Sequence, residues 1–134
     1  MVSLFAQSKK LGVRMNMQDW NQNVGSIIDY AQRIFPDVEI VTRNLNGVIS
    51  KTNYGEVGRR AKKLGSALEK YGIKHGQNVG SLALNTYRNM EMYYGISGMG
   101  GVMHTINFRL HPEQIVYIIN HAENRIIFIE SVFA

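Results

Sequence analysis

The sequence contains no cysteine. Disulfide staples and Cys-ligated zinc centres are therefore excluded, and nothing argues for secretion. The expected setting is the cytoplasm. No run approaches the roughly 18 apolar residues that a membrane-spanning helix needs, so no transmembrane segment is expected. In MVSLFAQSKKLGVRM the lysines follow the short apolar run instead of preceding it, the wrong order for a secretory leader. Only two prolines occur, Pro36 and Pro112, and a single tryptophan, Trp20. There is no internal repeat and no low-complexity tract. A G-x-S-x-G elbow and a G-x-x-x-x-G-K-[ST] loop are both missing, so neither a nucleophile turn nor a Walker-type phosphate loop is available.

What is present suits one globular domain. The chain has 134 residues, 45% of them apolar, enough for a modest core. Its net charge of +5 would suit an anionic partner. The plainer reading of a charge excess is a solvated basic face. Residues 1–20 lack periodicity and read as an N-terminal arm ending at Trp20. Residues 21–134 read as the folded body.

Val24, Ile27, Ile28, Ala31 and Ile34 recur at helical spacing and predict a helix over 24–35, stopped by Pro36. EIVTR and VISKT flank Asn46-Gly47, a pair that tolerates positive φ, and so predict an antiparallel hairpin. Val57, Ala61, Leu64, Leu68 and Tyr71 share one helical face. Asn53 with Glu56 predicts a capping box at its start, and Gly72 ends it. Its other face carries Arg59, Arg60, Lys62, Lys63 and Lys70. No recognition motif or interleaved aromatic accompanies them, so solvent exposure is expected and nucleic acid is not.

From Val79 onward the order is strand, helix, strand, helix, strand. NVGSLAL, VMHTI and RIIFIE are short and nearly all apolar, as buried parallel strands are. Gly95 and Gly98 interrupt an apolar helix over 88–99 and predict close approach of a neighbouring backbone. Pro112 opens the next helix, with Ile115, Ile118, Ile119 and Ala122 facing inward. The predicted fold class is α/β: an antiparallel β-hairpin and a parallel βαβαβ sheet flanked by helices. A further helix normally follows such a last strand, and the chain stops at Ala134. A partial N-terminal subdomain of a longer protein is therefore expected.

Candidate chemistry is sparse. Gly98-Met99-Gly100-Gly101 closes a helix and opens a strand, the reverse of a dinucleotide loop, so a tight turn is expected there. His75, His104, His111 and His121 lack zinc spacing. His104 is expected as a hydrogen-bonded core histidine, and His121 at a helix end. Glu91, Glu113 and Glu123 fall on separate elements, which predicts exposed or capping carboxylates. Asn107-Phe108-Arg109-Leu110 follows a parallel strand at the edge where open α/β sheets bind ligands. Arg109 there either forks onto a phosphate or carboxylate or forms a structural ion pair in a plain connection.

TNYGEVGRRAKKLGSALEKYGIKHGQNVGSLALNTYRNMEMYYG, GMGGVMHTINFRL and PEQIVYIINHAE follow one another in this chain. With them the chain, from about Met17 to its last residue, resembles the N-terminal part of the acyl-adenylate-forming superfamily. More narrowly it resembles bacterial fatty-acyl-CoA synthetases of the medium- and long-chain type. Asn107-Phe108-Arg109-Leu110 stands where that family has Asn-Pro-Arg-Leu. The resemblance implies an AMP-forming ligase that uses ATP, Mg2+ and CoA. A fatty acid attacks ATP, and CoA then displaces AMP to give the thioester. It implies residues 21–134 as the start of a truncated adenylation domain, with every catalytic and metal-binding motif further on. The segment itself is then inactive and binds none of these groups alone. Asn107, Phe108 and Arg109 would lie near the CoA approach. A homo-oligomer is expected, because a truncated sheet leaves apolar surface and a strand edge bare. The alternative is a non-catalytic α/β module that binds a nucleotide or CoA.

Overall fold

The computed structural model describes residues 23–44 and 46–133. The predicted arm over 1–20, with Trp20, lies outside them. Helix α1 (Val24–Ile34) begins where Asn23 accepts the N–H of Ser26 at 2.9 Å. Of its apolar stripe only Ile28 is buried, while Ile27 and Ile34 stay half exposed. The reason is that α1 meets its neighbours along a narrow seam: a Cβ on Gly25 would lie 3.3 Å from the Gly98 Cα.

Strands β1 (Glu39–Arg43) and β2 (Ile49–Asn53) pair antiparallel, with Thr42 opposite Ser50. Their turn closes through the Gly47 N–H on the Asn44 carbonyl. Gly47 takes the left-handed conformation, with φ 81°, and Asn46 does not. The Asn46 side chain instead accepts the N–H of Val48.

β2 leads directly into α2 (Tyr54–Lys70). Asn53 caps it through the Glu56 N–H at 2.8 Å. The reciprocal half of the expected capping box does not form, because the Glu56 carboxylate turns to Arg59 at 2.6 Å. Val57, Ala61 and Leu68 line the buried face. Gly72, at φ 98°, ends the helix, and the Ile73 N–H reaches back to the Leu68 carbonyl.

Strands β3 (Asn78–Leu82), β4 (Val102–Thr105) and β5 (Ile126–Ile129) form an all-parallel sheet in the order β4-β3-β5. Helices α3 (Tyr87–Gly98) and α4 (Pro112–His121) make the two connections. A short 3-10 turn (Ser131–Phe133) follows β5. Leu68, Ile73, Val79 and Ile96 form the buried core, with Leu64, Met92, Met99, Met103, Ile126 and Phe128 packed around it. That core lies between the sheet and the α2–α3 pair. α2 and α3 approach closely, as the glycines predict: a Cβ on Gly95 would sit 2.7 Å from the Ala61 carbonyl oxygen. Gly100, at φ 87°, makes the predicted tight turn and is covered by the His75 ring.

α4 departs from expectation. Ile115, Ile118, Ile119 and Ala122 reach only partial burial, and no residue of α4 is fully buried. The element is short and packs on a sheet of three strands, which leaves its flanks open. Its anchors are polar: Asn78 donates to the Ala122 carbonyl at 2.6 Å, and Asn124 to that of Ile119 at 3.1 Å. His104 pairs with Asn124 at 3.1 Å, the hydrogen-bonded histidine that was expected. His121 stacks on Tyr117 with centroids 5.5 Å apart. Just past this helix Glu123 adopts φ 49°, a conformation costly for a side-chain-bearing residue. Glu123→Gly is expected to raise stability by about 0.5–1 kcal/mol, measured by urea denaturation.

The two sheets are joined through a helix end. Thr86, the N-cap of α3, makes no side-chain cap. Instead Thr42 of β1, only 4% exposed, accepts the Tyr87 N–H at 3.2 Å. Thr42→Val is expected to lower stability by about 1 kcal/mol, with little change in secondary structure by circular dichroism.

Candidate functional site

β3 lies at the centre of the parallel sheet, with β4 on one side and β5 on the other. The chain therefore reverses direction between β3 and β5. Ligands of open α/β sheets gather at the carboxyl ends of the strands on either side of such a reversal. Two groups of residues occupy that edge.

The first is the predicted loop after β4. The Asn107 side chain accepts the Arg109 N–H at 3.0 Å and sets the turn. Phe108 stacks on Phe133 with centroids 4.9 Å apart. The Arg109 guanidinium lies 5.6 Å from the centre of the Phe108 ring. Asn107 and Arg109 are exposed and Phe108 is half-buried. The structural ion pair expected as one role for Arg109 does not form. Its cation rests on an aromatic face instead, with its donors toward solvent. Helix α4 starts next, where the His111 N–H meets the Gln114 side chain at 3.2 Å.

The second group surrounds the β3/β5 crevice. Glu130 donates its N–H to Leu82 at 3.0 Å and accepts the Leu84 N–H on its carboxylate at 2.7 Å. The chain's own carboxylate thus holds an amide at the end of the central strand. Beside it opens a groove of about 560 Å³. Arg59, Lys63 and Leu64 of α2 form one wall, Arg88 and Met92 of α3 the other, and Phe128 lies in the floor.

Charges along this groove are partly neutralised. The carboxylate of Glu91, which is 7% exposed, binds Arg60 at 2.6 Å. That hydrogen bond holds the Arg60 guanidinium above its ordinary pKa. Arg59 pairs with Glu56 and, mainly by donating a hydrogen bond, holds it below the usual carboxylate range. Lys62 pairs with Asp29 at 2.8 Å.

Two expectations are corrected here. The cationic face of α2 is not simply solvated, and Glu91 is neither exposed nor a cap. Both follow from α2 and α3 packing closely enough for Arg60 to reach across. Periodicity shows Glu91 as a polar residue on an apolar helix, a signal that points to a buried pair but not to its partner. Glu130 carries no comparable sequence signal. Among the described residues no three His, Asp or Glu side chains gather into a metal-binding group. None of their helices is long and apolar enough to cross a membrane.

A doubly wound sheet with polar residues along its carboxyl edge defines an α/β ligand-binding class. The family model described as AMP-binding enzyme matches residues 29–133. The 3-methylmercaptopropionyl-CoA ligase of Ruegeria lacuscaerulensis is 46% identical over 110 residues, which are 82% of this chain and 20% of that relative. The medium-chain-fatty-acid–CoA ligase of Ectopseudomonas oleovorans is 40% identical over 110 residues, with the same two shares of 82% and 20%. The structure of a Mycobacterium tuberculosis fatty acyl CoA synthetase superposes with a TM-score of 0.74 at 20% identity, over 84% of this chain and 22% of that one. This chain belongs to the AMP-binding enzyme family. It spans about a fifth of the length of the curated relatives it matches.

Proposed function

We propose that these residues are the N-terminal part of an ATP-dependent, AMP-forming acyl-CoA ligase, and that the acid is a medium- or long-chain fatty acid. The family match over 29–133, against relatives of which the chain covers only 20%, carries the reading. In it the chain supplies scaffold: one wall of an adenylation domain, in the cytoplasm, with a second copy as the expected partner. ATP, Mg2+ and CoA are reactants or cofactor of the whole enzyme. The described residues offer no acidic cluster to hold Mg2+, and no step is assigned to it here. Asn107, Phe108 and Arg109 are the proposed CoA-facing residues, supported by the exposed Arg109 over the Phe108–Phe133 stack.

The test has three arms. The purified 134-residue chain, given fatty acids of graded length, Mg-ATP and CoA, is expected to release no pyrophosphate. The protein from the whole coding sequence is expected to release it and to form thioester. Light scattering is expected to show association of the isolated chain as concentration rises. Thioester made by the isolated chain overturns the scaffold reading. A coding sequence that stops directly after Ala134 overturns the ligase reading.

The exposed Arg109 also favours a second reading, a non-catalytic module for CoA or a nucleotide. Titration of the isolated chain with CoA, AMP and ATP separates the two, since tight binding supports the module.

A further inference from the structure

The groove beside β5 has features of a protein-docking surface. The side chains of Val79, Met103 and Phe128 point to the sheet face on which α2 and α3 lie. Those helices cover the β3–β4 side. β5 packs extensively only on β3 among the described elements. Phe128 is only half-buried, and Ile129 is 51% exposed. A sheet face is stable when a layer covers it, and the layer already present here is helical. The vacant strip therefore matches one more helix, laid alongside α2.

Charge selects the kind of helix. Arg60 and Arg59 are engaged by Glu91 and Glu56. Lys63 and Arg88, both exposed, face the groove and meet no carboxylate within ion-pair distance among the described residues. Residues 1–22 carry Lys9, Lys10 and Arg14 against the single Asp19. A second copy brings a net charge of +5. Both are electrostatically poor occupants of a cationic rim. The groove also runs open to solvent along β5, unlike the enclosed sites that bury most of a small ligand.

We propose that this groove docks an amphipathic helix lying outside these 134 residues. Its apolar stripe covers Leu64, Met92, Phe128 and Ile129, and its glutamates or aspartates flank Lys63 and Arg88. The proposal stands apart from the ligase reading, because it needs no nucleotide, acid or CoA.

A labelled 18-residue helical peptide with a leucine stripe flanked by glutamates tests it. A matched peptide with lysine in place of glutamate is the control, and fluorescence anisotropy against the full chain is the readout. The glutamate peptide is expected to bind at least about tenfold more tightly than the lysine peptide. Lys63→Glu and Arg88→Glu are each expected to weaken it by roughly tenfold and to improve the lysine peptide. Both positions are exposed, so circular dichroism is expected to be unchanged. Methyl signals of Met92 are expected to shift with the glutamate peptide. Equal binding of the two peptides, or binding indifferent to both reversals, overturns the proposal. So does a Met92 shift produced by decanoate and not by peptide, or a self-dimer that covers Met92 and excludes the peptide.

Discussion

Gly95→Ala is expected to lower folding stability by about 2–3 kcal/mol and the melting temperature by on the order of 10 °C. The added Cβ would lie 2.7 Å from the Ala61 carbonyl oxygen and 3.3 Å from the Leu64 Cβ. The first of these atoms is backbone inside a helix and has no rotamer to change. Relief requires α2 and α3 to move apart, and their contact is the most extensive in the fold. The core under both helices then loosens at Ile96 and Leu68. Gly98→Ala on the same helix is the control. A Cβ there meets nothing within 4 Å, so stability should hold or rise by up to about 1 kcal/mol from helix propensity. Thermal and urea denaturation of both variants check the pair. Equal effects at the two positions would show that backbone approach is not what Gly95 provides.

Arg60→Met is expected to lower stability by about 3 kcal/mol. It strands the Glu91 carboxylate, 7% exposed, in an apolar surround. Glu91→Gln removes the other partner and is expected to cost only about 1 kcal/mol. The asymmetry comes from exposure: the Arg60 side chain is 45% exposed and returns to water when its partner is lost. The double variant Arg60→Met, Glu91→Leu is expected to recover most of the loss, because a buried ion pair gains little over apolar packing. A double-mutant cycle by urea denaturation gives the coupling directly. Equal costs for the two single variants would sink the burial argument.

Much of the architecture was legible because its signals are local. Asn53 before a periodic run, Gly72 after it, Asn46-Gly47 between alternating segments and Pro112 at a helix start each act within a few residues. The parallel sheet followed from three short apolar runs separated by helical spacing. The order β4-β3-β5 was not legible, since local pattern does not say on which side of β3 a strand returns.

The candidate site was legible only in part for the same reason. Arg109 was found from its place after a strand, but the ring beneath it is held by Phe133, far along the chain. The Arg60–Glu91 pair spans 31 residues and joins two helices, beyond the reach of helical periodicity. Glu130 looked like a strand-end carboxylate, and its bond to the Leu84 amide depends on β5 lying beside β3.

The seat of Thr42 on the first amide of α3 has a consequence for how the small hairpin assembles. Neighbouring strand residues point to opposite faces, so a shift of one position would bring Val41 or Arg43 to that amide. Valine has no oxygen in its side chain to accept the bond, and the arginine side chain has only donors. A misaligned hairpin would therefore be proofread by an element outside it, and only the correct alignment lets the α3 terminus close.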